Sequence, residues 1–188
     1  MDNVFHVQSI VIKSWRLYGV RGHCHVMPWR GSEEDFKTKF QYLLDEIDRY
    51  AAQGHYVSLA GASAGASAVL NAYIERPKQV SGVVLLCPKI NRPEAVSPKT
   101  YADNPAFKES LALLQRNSAQ LATPAKSEHI RTYYSPTDIV VPHADAVIPG
   151  VQEERLPAIK HGHAIVYGIT LGAPSLIGFL KRQAKHIK

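Results

Sequence analysis

The strongest constraint on the fold is a continuous apolar run at residues 81–87, Ser-Gly-Val-Val-Leu-Leu-Cys. Such a run is typical of a β-strand that is covered on both faces. Further strands are predicted at 56–60 and 130–134, with a short one near 154–156. Helical patterns lie between and after them, at 36–50, about 64–75, 107–114 and from Pro174 onward. Because strands alternate with helices, the sequence predicts a three-layer α/β fold: a mostly parallel sheet with helices on both faces.

The composition fits one domain that spans residues 1–188. The chain is 45% hydrophobic and 20% charged, which is typical of a globular protein. No apolar run approaches the roughly 20 residues that a membrane span needs, and the first residues lack a signal-peptide pattern. We therefore expect a cytoplasmic protein without a membrane partner. The net charge of +6 comes from scattered lysines and arginines, so no nucleic-acid partner is expected.

The two cysteines, Cys24 and Cys87, lie in apolar runs that are both interpreted as strands. Two cysteines do not form a disulfide framework, so buried free thiols are predicted. His23 and His25 flank Cys24 and would share one face of a strand at 20–28. A metal site there is a weak hypothesis, because no paired carboxylate or second cluster accompanies the two histidines. Neither a metal nor a cofactor is expected.

Residues 61–65, Gly-Ala-Ser-Ala-Gly, match the G-x-S-x-G nucleophile motif. A predicted strand runs directly into this motif and an alanine-rich helix leaves it. Flanking glycines let a strand and a helix approach closely around a strained serine. Ser63 is therefore the candidate nucleophile, and the Ala64 amide at the helix N-terminus is the candidate oxyanion donor. An ordinary strand-to-helix turn is the alternative interpretation.

With this motif in place, residues 40–181 resemble the α/β-hydrolase superfamily, in particular its small bacterial serine hydrolases. In that family an acid and then a histidine follow the serine along the chain. Asp138, shortly before Val-Pro, matches the acid loop, and Asp145 is the fallback. His163 matches the Gly-His that supplies the base, and His161 is the second choice.

The resemblance implies hydrolysis of a carboxylic ester or thioester through an acyl-serine intermediate, with a small-molecule ester as substrate. A serine hydroxyl is a poor nucleophile at neutral pH, so an imidazole must accept its proton and a carboxylate must orient that imidazole. Residues at about 88–128 would form a small cap-like insertion. Within it, Tyr101, Phe107 and Leu111 would either line the pocket or pack the cap onto the sheet.

The sequence departs from the family at its N-terminal side. It lacks the usual first strand, which lies beside the nucleophile strand, and the loop that donates the second oxyanion amide. Residues 4–18 have helical spacing instead. A strand near 20–27 could pair with 56–60, residues 4–12 could form a strand, or a second chain could cover the edge in a homodimer. An amide within 27–31 could replace the missing donor. The alternative is that the chain is a catalytically impaired hydrolase-fold protein that serves as a binding or interaction module.

Overall fold

The computed structural model describes residues 9–30, 34–158 and 160–185. The strands are β1 (Val57–Ala62), β2 (Val80–Leu86), β3 (Ile130–Tyr134) and β4 (Gln152–Arg155). Residues 9–14 are helical, and the α-helices after them are α1 (Phe36–Ala52), α2 (Gly65–Glu75), α3 (Pro98–Asp103), α4 (Pro105–Asn117), α5 (Pro124–Ser127), α6 (His161–Ile169) and α7 (Ala173–Lys185). Short 3-10 turns lie at Trp15–Tyr18, Pro93–Ala95, Ser118–Ala122 and His143–Asp145.

The four strands form one sheet in the order β1-β2-β3-β4, and every neighbouring pair is parallel. All seven residues of β2 are buried. Val83 and Leu85 pack into the core on one face, whereas Val84 and Leu86 pack into the core on the other. The predicted three-layer α/β fold is confirmed, and the continuous apolar run is the strand that both helical layers cover.

Each face of the sheet has its own helical layer. Helices α1, α2 and α4 supply the first layer, in which Leu70 and Leu111 are completely buried. Helices α6 and α7 supply the second layer together with Trp15, whose indole N–H donates to the Ile169 carbonyl at 3.0 Å. Phe107 and Leu111 therefore pack within the first layer, while Tyr101 is half-buried against it. Whether residues 88–128 also cap a pocket stays a prediction.

The strand expected at 20–28 was a wrong prediction, because residues 20–29 form neither strand nor helix. The apolar run suggested a strand, but in the structure the segment bonds to no strand among the described residues; His25, Met27 and Trp29 are half-buried, and the residues between them are exposed. Cys24 is consequently exposed and not buried as predicted. His23 and His25 both contact the Glu46 carboxylate on α1, at 2.7 and 2.9 Å.

Strand β1 lies at an edge of the sheet. In the described part of the chain it pairs only with β2, and Ala60 in its middle is exposed. Neither strand proposed to close this edge is observed: residues 20–29 are irregular, and residues 9–14 are helical, while 4–8 lie outside the described residues. An unpaired edge is a site at which another chain can add. A homodimer formed there stays a prediction.

No single helix among the described residues has both the length and the apolarity to cross a membrane. Helices α6 and α7 meet that test only when they are joined, and they are bent by 60° at the break between them.

Gly61 and Gly65, the two glycines of the serine motif, differ in their surroundings. A Cβ at Gly61 would lie 2.8 Å from the Ala66 Cα on α2, whereas a Cβ at Gly65 would meet nothing within 4 Å. Gly61→Ala should therefore reduce the free energy of unfolding by about 1–3 kcal/mol through overpacking. Gly65→Ala should leave stability unchanged or raise it. Urea unfolding of both variants measures the difference, and equal stabilities would contradict the packing described.

Candidate active site

Four chemically reactive side chains follow the carboxyl ends of the four strands. Ser63 comes directly after β1, and Cys87 directly after β2. Asp138 lies in the loop that follows β3, and His161 begins the helix that follows β4. Because the strands are parallel, their carboxyl ends meet at one edge of the sheet, which is where ligands bind in open α/β sheets. This edge is the candidate active site.

Ser63 has a strained backbone at the turn between β1 and α2. Its φ is +50°, a left-handed conformation that costs a non-glycine residue about 1–3 kcal/mol. Hydrogen bonds hold it there: its N–H donates to the Leu86 carbonyl at 3.0 Å, and its carbonyl accepts from the amides of Ala66 and Lys89 at 3.2 and 3.1 Å. Residues 61–65 thus form a sharp strand-to-helix turn, and their role as a nucleophile elbow stays a prediction.

The Asp138 carboxylate is buried and fully engaged. Its side chain is 1% exposed. Oδ1 accepts hydrogen bonds from the amides of Val140 and Val141, each at 2.9 Å. Oδ2 lies 2.6 Å from Nδ1 of His161. Because an ionised carboxylate can only accept, we assign the proton of this bond to Nδ1, which leaves Nε2 of a neutral His161 as the acceptor.

The carboxylate is paired with His161 and not with His163, the histidine that the sequence favoured as base. Both histidines lie in the first turn of α6, where each residue is rotated by about 100° from the one before. Residues two apart therefore point in nearly opposite directions. With the His161 side chain turned inward, His163 is exposed to solvent. The expectation rested on the Gly-His pattern of the family, which does not show which of the two histidines faces Asp138.

Asp145, the fallback acid, is engaged elsewhere. Its buried carboxylate contacts Lys89 Nζ at 2.6 Å and also binds the Arg92 guanidinium. Its carbonyl accepts hydrogen bonds from the amides of Ile90 and Asn91, each at 3.0 Å. Asp145 therefore holds the loop after β2 against the turn that follows Asp138. This ion pair is connected to Ser63 through one backbone hydrogen bond, because the Lys89 amide donates to the Ser63 carbonyl.

Cys87 is part of this edge, although the sequence indicated only a buried thiol. Its φ is +46°, so the ends of β1 and β2 are both strained. Its sulfur, a carboxylate oxygen of Asp138 and a ring nitrogen of His161 all lie within 4.8 Å of one another. Burial, followed by the Asp138 charge, raises the pKa of the Cys87 thiol to about 12. The sequence signal that could have identified Cys87 as a site residue is its position at the end of a predicted strand, a position that Ser63 also has.

The two remaining site predictions concern the serine hydroxyl and the oxyanion donors. The hydrogen bonds of the described residues include none between Ser63 Oγ and His161. Ala64 precedes the first residue of α2, so its amide lies at the positive end of that helix. A second donor within 27–31 stays a prediction: Met27 and Trp29 pack against the first helical layer, and Gly31 lies outside the described residues.

Comparison with solved structures identifies the fold. No protein-family model matches the sequence, and no curated protein matches it. NosK from Streptomyces actuosus superimposes with a TM-score of 0.55 at 17% identity, covering 95% of this chain and 92% of NosK. A monoacylglycerol lipase from Paleococcus ferrophilus gives a TM-score of 0.51 at 13% identity, covering 85% of this chain and 81% of the lipase. MGS-MChE2, an alpha/beta hydrolase enzyme from a lagoon-sediment metagenome, gives 0.51 at 16% identity, with coverages of 85% and 74%.

The two thiols should differ in reactivity. Cys24 is exposed, whereas Cys87 is 1% exposed and its raised pKa keeps it protonated at neutral pH. Since the thiolate is the reactive form, Ellman's reagent should modify one thiol in the folded protein and two in urea. Cys24→Ala should abolish the reaction of the folded protein. Rapid modification of the folded Cys24→Ala variant would contradict the placement of Cys87.

Proposed function

We propose that this chain, which has the α/β-hydrolase fold, is a serine hydrolase that cleaves carboxylic esters or thioesters through an acyl-Ser63 intermediate. The observation that carries the proposal is the buried Asp138–His161 pair, with its 2.6 Å contact, at the same sheet edge as the strained Ser63. A buried acid that orients an imidazole is what serine nucleophiles depend on. Perturbed and strained groups also concentrate at functional sites.

In the proposed reaction Ser63 Oγ attacks the ester carbonyl while Nε2 of His161 accepts its proton. Asp138 holds the imidazole in the tautomer that presents Nε2 and stabilises the imidazolium that forms. The Ala64 amide donates to the developing oxyanion. The protonated His161 then gives its proton to the leaving alcohol or thiol, and the acyl group stays on Ser63 until water releases it by the same steps.

Two features of the site are compatible with this sequence of steps. Ser63 is half-buried and the His161 side chain is 14% exposed, so both can be reached from solvent. The hydroxyl and the imidazole are not hydrogen-bonded here, but such catalytic contacts are often long without substrate and tighten when it binds. A single amide donor would limit the rate, because loss of one oxyanion donor typically costs about 10²–10³ in turnover.

The solved structures add support at the level of the fold. Two of the three compared proteins are described as a lipase and an alpha/beta hydrolase enzyme. At 13–17% identity, the substrates of these proteins do not identify a substrate for this chain. Ester chemistry is proposed here because the elbow, the acid and the histidine of this chain are the groups that acyl transfer needs.

A fluorophosphonate probe tests the proposal without knowledge of the substrate. The folded protein should become labelled as Ser63 Oγ displaces fluoride from phosphorus, and Ser63→Ala should remain unlabelled. His161→Ala should lower the labelling rate roughly 10³-fold or more, because the serine loses its base. His163→Ala, the matched control on the same helix, should stay within about threefold of the unmodified protein, as an exposed substitution does.

Two results would contradict the proposal. If the folded protein is not labelled at all, the result favours the alternative, a hydrolase-fold protein that binds a partner or ligand without catalysis. If His163→Ala abolishes labelling while His161→Ala does not, the acid–base assignment is wrong even though the serine is reactive. Circular dichroism of each variant separates loss of reactivity from loss of structure.

A further inference from the structure

We propose that Cys87, Asp138 and His161 form a binding site for a soft divalent transition-metal ion such as Zn²⁺. The observation is the meeting of a thiol, a carboxylate and an imidazole whose ligand atoms lie within 4.8 Å of one another. These are the three ligand types that zinc takes in proteins. They come from the ends of β2, β3 and β4, so the sheet brings together residues that are distant in the chain.

The spacing suits a tetrahedral ion. Zinc bonds sulfur at about 2.3 Å and nitrogen or oxygen at about 2.0–2.2 Å, which separates its ligands by roughly 3.3–3.6 Å. No two of the three ligand atoms lie more than 4.8 Å apart, and Asp138 Oδ2 and His161 Nδ1, now 2.6 Å apart, would separate by about 1 Å as the ion replaces their hydrogen bond. Three protein ligands leave the fourth position for water. The ion would enter from the side of His161, whose side chain is 14% exposed while that of Asp138 is 1% exposed.

The charge at this point also favours a cation. The buried Asp138 carboxylate is surrounded by two backbone amides, a thiol and an imidazole, none of which carries a fixed positive charge. A buried charge is costly unless it is compensated. Asp145 differs, because Lys89 and Arg92 already neutralise it. Binding would convert the Cys87 thiol to a thiolate, with its proton released to solvent, while His161 binds through Nδ1 in its neutral form with its ring proton moved to Nε2.

Metal binding would regulate the proposed hydrolase, and only this consequence rests on the proposed function. An ion that takes Asp138 and His161 as ligands disrupts the hydrogen bond between them and withdraws the imidazole from proton transfer. Zn²⁺ should therefore slow the labelling of Ser63 by a fluorophosphonate, and a chelator should restore it. In Cys87→Ala the same concentration of Zn²⁺ should leave the labelling rate of that variant unchanged.

Direct binding is tested with Co²⁺, which replaces Zn²⁺ and gives a thiolate-to-cobalt charge-transfer band in the near ultraviolet. The unmodified protein should show this band, and Zn²⁺ should displace it. The matched control is Cys24→Ala, because exposed Cys24 lies between His23 and His25 and is the competing thiol ligand. Cys24→Ala should keep the band. Cys87→Ala should lose it.

The affinity of each variant for Zn²⁺ is the second criterion for the metal site. Loss of an outer-shell partner alone costs about 10–100-fold in affinity, so Cys87→Ala should bind Zn²⁺ at least about 100-fold more weakly. His161→Ala, at a less buried position, should weaken Zn²⁺ binding similarly, and it keeps the test valid if Cys87→Ala does not fold.

Two results would overturn the metal site: a folded protein without a thiolate–cobalt band, or a band that disappears in Cys24→Ala and persists in Cys87→Ala. Because these spectra do not depend on activity, they separate failure of the metal site from failure of the proposed hydrolase.

Discussion

The buried Asp138 carboxylate is the interaction on which the arrangement of the sheet edge depends. One of its oxygens is held by two amides of its own loop, and the other accepts from His161 at the start of α6. The loop after β3 and the helix after β4 are thereby fixed relative to each other. Cys87 brings the end of β2 into the same contact. Removal of this carboxylate would leave a half-buried imidazole and a buried thiol without their common partner, which is costly for polar groups that are withdrawn from water.

Backbone strain occurs at the ends of two neighbouring strands. Ser63 and Cys87 both have positive φ, at the ends of neighbouring strands, and the Ser63 amide is bonded to the carbonyl of the residue before Cys87. The strand β2, buried on both faces, forms a rigid support beneath them. Strained residues persist only where the surrounding structure holds them in place. The strained residues therefore lower the stability of the fold at this edge, where the proposed chemistry takes place.

Much of this fold was predictable because its signals are local. The buried strand at 81–87, the strand at 130–134 and the serine turn at 61–65 follow from apolar runs and from glycine placement, and the structure places each within a residue or two. The acid loop was found by its resemblance to a family, and Asp138 does contact a histidine. These features depend on a few neighbouring residues, so a single sequence contains them.

The features that were missed are ones that a local apolar pattern does not determine. The apolar run at 20–28 suggested a strand, but a strand also needs a neighbour to bond with, and no local pattern reveals one. The choice between His161 and His163 depends on the residue at which α6 begins, and helix ends are the least certain part of a sequence prediction. Cys87 was missed because a buried thiol and a thiol at a site have the same apolar flanks.

The most direct test of the account is the proton on Nδ1 of His161. In protein with nitrogen-labelled histidine, the short bond to the buried Asp138 carboxylate predicts a strongly downfield ring N–H resonance that is assigned to His161. The resonance should disappear in His161→Gln and in Asp138→Asn, and it should remain in His163→Gln. A resonance that survives the loss of His161, or that disappears with His163, would contradict the geometry on which the whole site rests.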